Sequence, residues 1–141
     1  MRITTDFLVI GSGIAGLSYA LKVAAHGRVI IVTKGQAEET NTRYAQGGIA
    51  AVMYSPDTYE KHIQDTINAG AGLCNEKIVR LTIKESTERI RELIEWGTRF
   101  DKNKAGFFDL AREGGHSESR VLHSKDQTGM EIQNALLKEV R

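Results

Sequence analysis

The apolar run Phe7-Leu8-Val9-Ile10 breaks off into Gly11-Ser12-Gly13-Ile14-Ala15-Gly16, and a second apolar run, Val29-Ile30-Ile31-Val32, follows a short distance on. Continuous apolar runs of this length read as strands buried on both faces, as in a parallel sheet. Between them Ile14, Leu17, Leu21 and Ala24 recur at spacings of three and four, which marks one face of a helix, and His26-Gly27 stops it. A strand, a helix and a strand in so few residues predict a right-handed βαβ crossover over residues 6–34. The turn between the first strand and the helix fits a dinucleotide pyrophosphate. Gly11 allows the tight turn, Gly13 admits the phosphates to the backbone, and Gly16 lets the helix pack close to the strand. Ser12, Ile14 and Ala15 complete the turn, and the helix N-terminus aims free N–H groups and a positive dipole end at the ligand.

This fingerprint has one departure. An acid about 20 positions further on should meet the ribose of NAD. Here the second strand ends in Val32-Thr33-Lys34, and the nearest acid is Glu38. A cation at Lys34 argues against a plain NAD site and suits a phosphate or the adenine end, although a solvated strand end would read the same. The loop 36–52 follows, in which Ile49-Ala50-Ala51-Val52 reads as a short strand or a buried turn. Its stretch Asn41-Thr42-Arg43-Tyr44-Ala45-Gln46-Gly47-Gly48 sets hydroxyls, an amide, an aromatic ring and paired glycines in a row. Hydroxyl and amide groups suit the hydrogen-bonding edges of a flavin, and paired glycines let backbone N–H groups approach a ligand.

Residues 55–141 read as helices and loops. Ser55-Pro56 predicts a helix start, with Ser55 as cap, Ile63 and Ile67 on one face and Gly70 as the stop. Asn75 caps a longer helix bearing Val79, Ile83, Ile90, Leu93 and Ile94 and ending at Gly97. Residues 101–119 are polar and glycine-containing. Thr128 and Glu131 form a capping box for a last helix bearing Ile132, Leu136 and Val140. The expected fold class is therefore α/β: the N-terminal portion of a Rossmann-like domain, followed by mainly helical segments. A doubly wound sheet needs at least a third parallel strand, and no later run matches the first two. The expectation is a fragment without turnover of its own, the alternative being a complete chain around an unusual two-stranded core.

A net charge of +1 gives no bulk reason to bind nucleic acid or an anionic membrane. The first apolar run is too short for a signal peptide or a membrane span. One cysteine, Cys74, allows no internal disulfide, fits a reducing cytosol, and reads as a small buried hydrophobe. The four histidines and Cys74 lack metal-ligand spacing.

With Ala45-Gln46-Gly47-Gly48-Ile49 the sequence resembles the flavoprotein family of succinate dehydrogenase, fumarate reductase and L-aspartate oxidase. In its membrane respiratory members a histidine five residues before the glutamine carries FAD covalently. That position here is Asn41, so the resemblance implies non-covalent FAD and the soluble branch. The stretch Arg112-Glu113-Gly114-Gly115-His116-Ser117, with Arg120-Val121-Leu122-His123 and Asp126-Gln127-Thr128-Gly129, is similar to the aspartate-oxidising branch. Glu118-Ser119 departs from the basic pair common there.

The resemblance implies oxidation of L-aspartate to iminoaspartate in the cytoplasm, with O₂ or fumarate as acceptor. It also implies quinolinate synthase as partner in NAD biosynthesis. Aspartate differs from succinate by an ammonium group, which needs an anion beside it. The resemblance gives that role to Glu113, while a lone loop glutamate is otherwise a solvated acid. His116, Ser117 and His123 are weaker candidates, and the arginines for the substrate carboxylates are expected in later segments. Two other readings stay open: a soluble fumarate reductase, and a nucleotide-binding module without catalysis.

Overall fold

The computed structural model describes residues 2–141. Strand β1 (Phe7–Ile10) leads through the glycine turn into helix α1 (Ile14–Val23), a short 3₁₀ turn over Ala24–His26, and strand β2 (Val29–Val32). The strands pair in parallel, with Phe7 opposite Val29 and Ile10 opposite Val32. Among the described residues no third strand joins them. The expected burial on both faces therefore fails. Val9 is buried, while on the opposite face Leu8 and Ile10 are 60% and 83% exposed, because only the α1 side of the sheet is covered.

The rest of the chain carries the expected helical segments and, in addition, a second sheet. Strands β3 (Ile49–Ala50), β4 (Leu110–Ala111) and β5 (Val121–Leu122) form a second, antiparallel sheet in the order β3-β5-β4. The first of these falls where a short strand or buried turn was expected, while β4 and β5 are hidden because strands of two residues carry no readable period. Helices α2 (Tyr59–Ala69), α3 (Glu76–Glu95) and α4 (Thr128–Glu139) complete the fold. Leu17 of α1, Ala51, Ile90 and Leu93 of α3, Leu122 of β5, and Ile132 and Leu136 of α4 meet in one core. This core fixes α4 against α1 and carries both sheets as one body.

Two helix starts differ from the sequence expectation. Helix α2 is capped by Thr58, whose hydroxyl accepts from the Lys61 N–H at 3.2 Å. Ser55 lies in the turn before it, because Asp57 is drawn out of the helix to a buried arginine. Helix α4 lacks the Thr128–Glu131 capping box. Thr128 Oγ1 accepts from Ser124 N at 3.0 Å, and Glu131 Oε1 accepts from Arg99 N at 2.9 Å, so both side chains serve other loops. The cap at Asn75 forms, its side chain accepting from Ile78 N. Cys74 is half-buried against Gly70 and donates to the Thr66 carbonyl at 3.6 Å. No helix among the described residues is long and apolar enough to cross a membrane.

Candidate functional site

The turn after β1 opens on a cavity of about 530 Å³ lined by Gly11, Ser12, Gly13, Lys34, Glu39, Asn41 and Thr42, among others. That volume lies in the usual range for small-ligand sites. Gly11 has φ +101°, a left-handed conformation that glycine adopts at little cost. Gly16 faces β1: a Cβ there would collide with the Gly11 carbonyl, so its lack of a side chain serves helix-to-strand packing. Ile14 packs against the core and Ala15 is exposed, so neither they nor Gly16 line the cavity.

The start of α1 supplies donors. Ile14 N–H is taken by Thr42 Oγ1 at 3.0 Å, and Leu17 N–H by the Gly13 carbonyl. The N–H groups of Ala15 and Gly16 have no hydrogen-bond partner among the described residues, and no acid stands in the first turn. Unpaired helix-start donors beside a cavity suit an anionic phosphate. Lys34 adds a cation at the rim. Glu38, the nearest acid in sequence, turns to Arg141 at 2.8 Å. Glu39 lines the cavity instead and accepts from Tyr44 Oη at 2.6 Å. Glu39 was not singled out by the sequence; its distance from the glycine turn was the available signal.

Residues 41–48 divide among three depressions. Asn41 and Thr42 belong to the glycine-turn cavity. Arg43, Tyr44, Ala45 and Gln46 face the start of α4 at Asp126, Gln127 and Met130. Gln46, Gly47 and Gly48 share a cleft of about 260 Å³ with Glu113, His123 and Lys125. The paired glycines act differently. Gly47 faces open space, whereas a Cβ on Gly48 would strike Val121 and the Leu122 carbonyl, so Gly48 serves close packing on β5. His123 is set in the cleft with Nδ1 3.3 Å from Asp101 Oδ2, which also accepts from Lys125 N at 2.7 Å.

Asp57, Asp65 and Arg120 form an ionic cluster. Arg120 is fully buried and makes a bidentate pair with Asp57, Nε and Nη2 each at 2.8 Å, and a further bond to Asp65 at 2.6 Å. Burial raises the Asp65 pKa, but the Ser117 N–H, the Arg120 guanidinium and the Ser117 hydroxyl outweigh it and hold the carboxyl at about 2. Burial acts likewise on Asp57, and its bonds to Arg120 reverse the direction, leaving it below the ordinary range. Burial and the Arg120 charge push His62 down. His116 stacks edge-on against His62, ring centroids 6.0 Å apart. His116 and Ser117 therefore belong to this cluster and not to the cleft that holds Glu113.

The chain is similar to several known proteins in sequence and in fold. The chain is 57% identical over 135 residues to the chloroplastic L-aspartate oxidase 2-a of Nicotiana tabacum, covering 96% of the chain and 21% of that protein. It is 51% identical over 136 residues to the L-aspartate oxidase of Vibrio cholerae, covering 93% of the chain and 25% of that protein. The chain thus spans between a fifth and a quarter of these relatives' length. Sdh1 of Mycobacterium smegmatis superposes with a TM-score of 0.89 at 36% identity, over 98% of this chain and 24% of that one. The quinol fumarate reductase of E. coli gives 0.91 at 26% identity, over 99% of this chain and 25% of that one. Residues 6–141 match the family described as FAD binding domain, nearly the whole length of the chain. The glycine-turn cavity with its unpaired helix donors fits that cofactor, and the chain belongs to the FAD-binding-domain family of flavoproteins.

Proposed function

We propose that the protein carrying this chain oxidises L-aspartate to iminoaspartate with non-covalent FAD in the cytoplasm. O₂ or fumarate takes the electrons, and quinolinate synthase uses the product in NAD biosynthesis. Bound FAD supplies the hydride acceptor for the substrate α-carbon. The chain's own residues bind and orient. Gly11-Ser12-Gly13-Ile14-Ala15-Gly16 and the start of α1 hold the pyrophosphate in a Rossmann-like manner. Lys34 screens the phosphate charge from the rim, and Glu39 suits a ribose hydroxyl. Asn41 to Gly48 run from the phosphate end to the flavin ring, and Asn41 offers no nucleophile for a covalent link.

One observation carries the substrate reading: Glu113 shares a cleft with Gln46, Gly47 and Gly48. A carboxylate there meets the ammonium that distinguishes aspartate from succinate. A buried cation without such a partner costs several kcal/mol. The two substrate carboxylates call for bidentate arginines. Arg120 cannot serve, because it is buried and consumed by Asp57 and Asp65.

The test uses the full-length holoenzyme and its Glu113→Gln variant. The KM for L-aspartate rises about tenfold or more, the size expected for one charge-assisted hydrogen bond. Competitive inhibition by succinate changes little. Equal loss for both ligands removes the role given to Glu113. A second reading, a soluble fumarate reductase, draws on the likeness to Sdh1 and to quinol fumarate reductase. Wild-type enzyme that reduces fumarate without oxidising aspartate favours it.

A further inference from the structure

Glu113 has no side-chain hydrogen bond among the described residues, so its place in the cleft is set by the backbone that carries it. That backbone is a hairpin between β4 and β5, in which Ala111 pairs with Val121 and Arg120 N–H donates to the Ala111 carbonyl at 3.1 Å. Within it His116 N–H donates to the Glu113 carbonyl at 3.1 Å, and Arg112 Nε donates to the His116 carbonyl at 2.8 Å. The hairpin is then tied from outside. Asp65 Oδ2, on helix α2, accepts from Ser117 N at 2.7 Å, from Ser117 Oγ at 2.7 Å and from Arg120 Nη1 at 2.6 Å.

We propose that Asp65 is a positioning residue for Glu113, holding the hairpin through Ser117 and Arg120 so that the carboxylate stands ready in the cleft. The proposal rests on the substrate role given to Glu113 above. Asp65 is 52 residues from Ser117 in sequence and lines no part of the cleft, so it acts at a distance. Arg120 does not need Asp65 to be neutralised, since Asp57 already pairs with it through two bonds. What Asp65 adds is the link to Ser117, four residues after Glu113. A loop carboxylate free to wander pays its ordering entropy on each binding event, whereas a tethered one does not.

The test is Asp65→Asn in the full-length holoenzyme. The amide keeps the volume and gives up the anionic acceptor shared by Ser117 and Arg120. Flavin absorbance and kcat are retained, the KM for L-aspartate rises about tenfold, and the succinate inhibition constant moves less than about twofold. In the double variant with Glu113→Gln, the two effects do not add, because Asp65 acts only through Glu113. Additive losses overturn the positioning role while leaving the Glu113 reading intact. A Glu113→Gln variant with normal aspartate KM overturns that reading first. If Asp65→Asn fails to fold, Ser117→Ala supplies the same test, since it keeps the backbone bond and loses only the hydroxyl. A rise in aspartate KM of about threefold at constant kcat supports the proposal, and an unchanged KM overturns it.

Discussion

Gln133 Nε2, on helix α4, donates to the Ser12 carbonyl at 2.8 Å across 121 residues of sequence. The same amide donates to the Ala37 carbonyl at 3.1 Å, and its oxygen accepts from Thr40 Oγ1 at 3.1 Å. The side chain is fully buried. One glutamine thus clamps the glycine turn to the loop that closes over the other side of the cavity. Gln133→Leu keeps the bulk and removes all three bonds; the Ser12 carbonyl loses its side-chain donor, while the Ala37 carbonyl keeps the Ser12 hydroxyl at 2.9 Å. The expected cost is about 1–3 kcal/mol, the desolvation penalty of unpaired buried groups. Flavin retention falls with it. Urea unfolding and the flavin-to-protein absorbance ratio of the purified variant check both.

Glycines at close contacts should be sharply distinguishable from those facing open space. A Cβ on Gly16 would meet the Gly11 carbonyl, and one on Gly129 would meet the carbonyls of Thr42 and Ala45. These are backbone atoms in packed segments, so they have little freedom to give way. Gly16→Ala and Gly129→Ala each cost about 1–3 kcal/mol or more through overpacking. Gly47→Ala, which meets nothing within 4 Å, leaves stability within about 0.5 kcal/mol. Thermal unfolding of the three variants side by side decides the matter.

The unit 6–34 was legible because its signals are local. Apolar runs, helical spacing and a glycine turn all lie within one stretch of chain. Gln133, Gly129 and Arg120 were not legible, because their meaning comes from partners far away in sequence. A glutamine on an amphipathic helix reads as surface, and Arg120 reads as one more charge before an apolar pair. The same limit explains the helix starts. Thr128 and Glu131 have the right spacing for a capping box, but Ser124 and Arg99 claim them. At the site, the loop 41–48 reads as one ligand surface, and only the fold divides it among three depressions.

The start of α2 provides a direct check on that division between local and distant causes. Thr58→Ala removes the hydroxyl that accepts from Lys61 N–H and costs about 1 kcal/mol, the usual worth of an N-cap. Ser55→Ala, which alters the cap expected from sequence, leaves stability within about 0.5 kcal/mol. Urea midpoints of the two variants should therefore separate clearly. Equal losses would mean that Ser55 contributes to the helix start after all.

Acid should weaken the fold in two steps, in an order set by the cluster around Arg120. His62 faces the Arg120 guanidinium, the His116 ring and the carboxylates of Asp57 and Asp65, and burial is the largest influence on it. Its pKa is depressed in the fold, so its contribution is complete above the ordinary histidine value of about 6.5 and is lost as pH falls below that. Asp65 is held at about 2 in the fold. Its contribution is complete above the ordinary aspartate value of about 3.9 and is lost between there and about 2. With its partial solvent access this second loss is on the order of 1 kcal/mol. Urea midpoints measured from pH 7.5 to 3 should fall first below about pH 6.5 and again below about pH 4. His62→Phe flattens the first slope and spares the second, while Asp65→Asn reduces the second and, because it removes an anion that holds the His62 pKa up, does not flatten the first. If His62→Phe leaves the slope between pH 6.5 and 5 as steep as in the wild type, another group carries the first step.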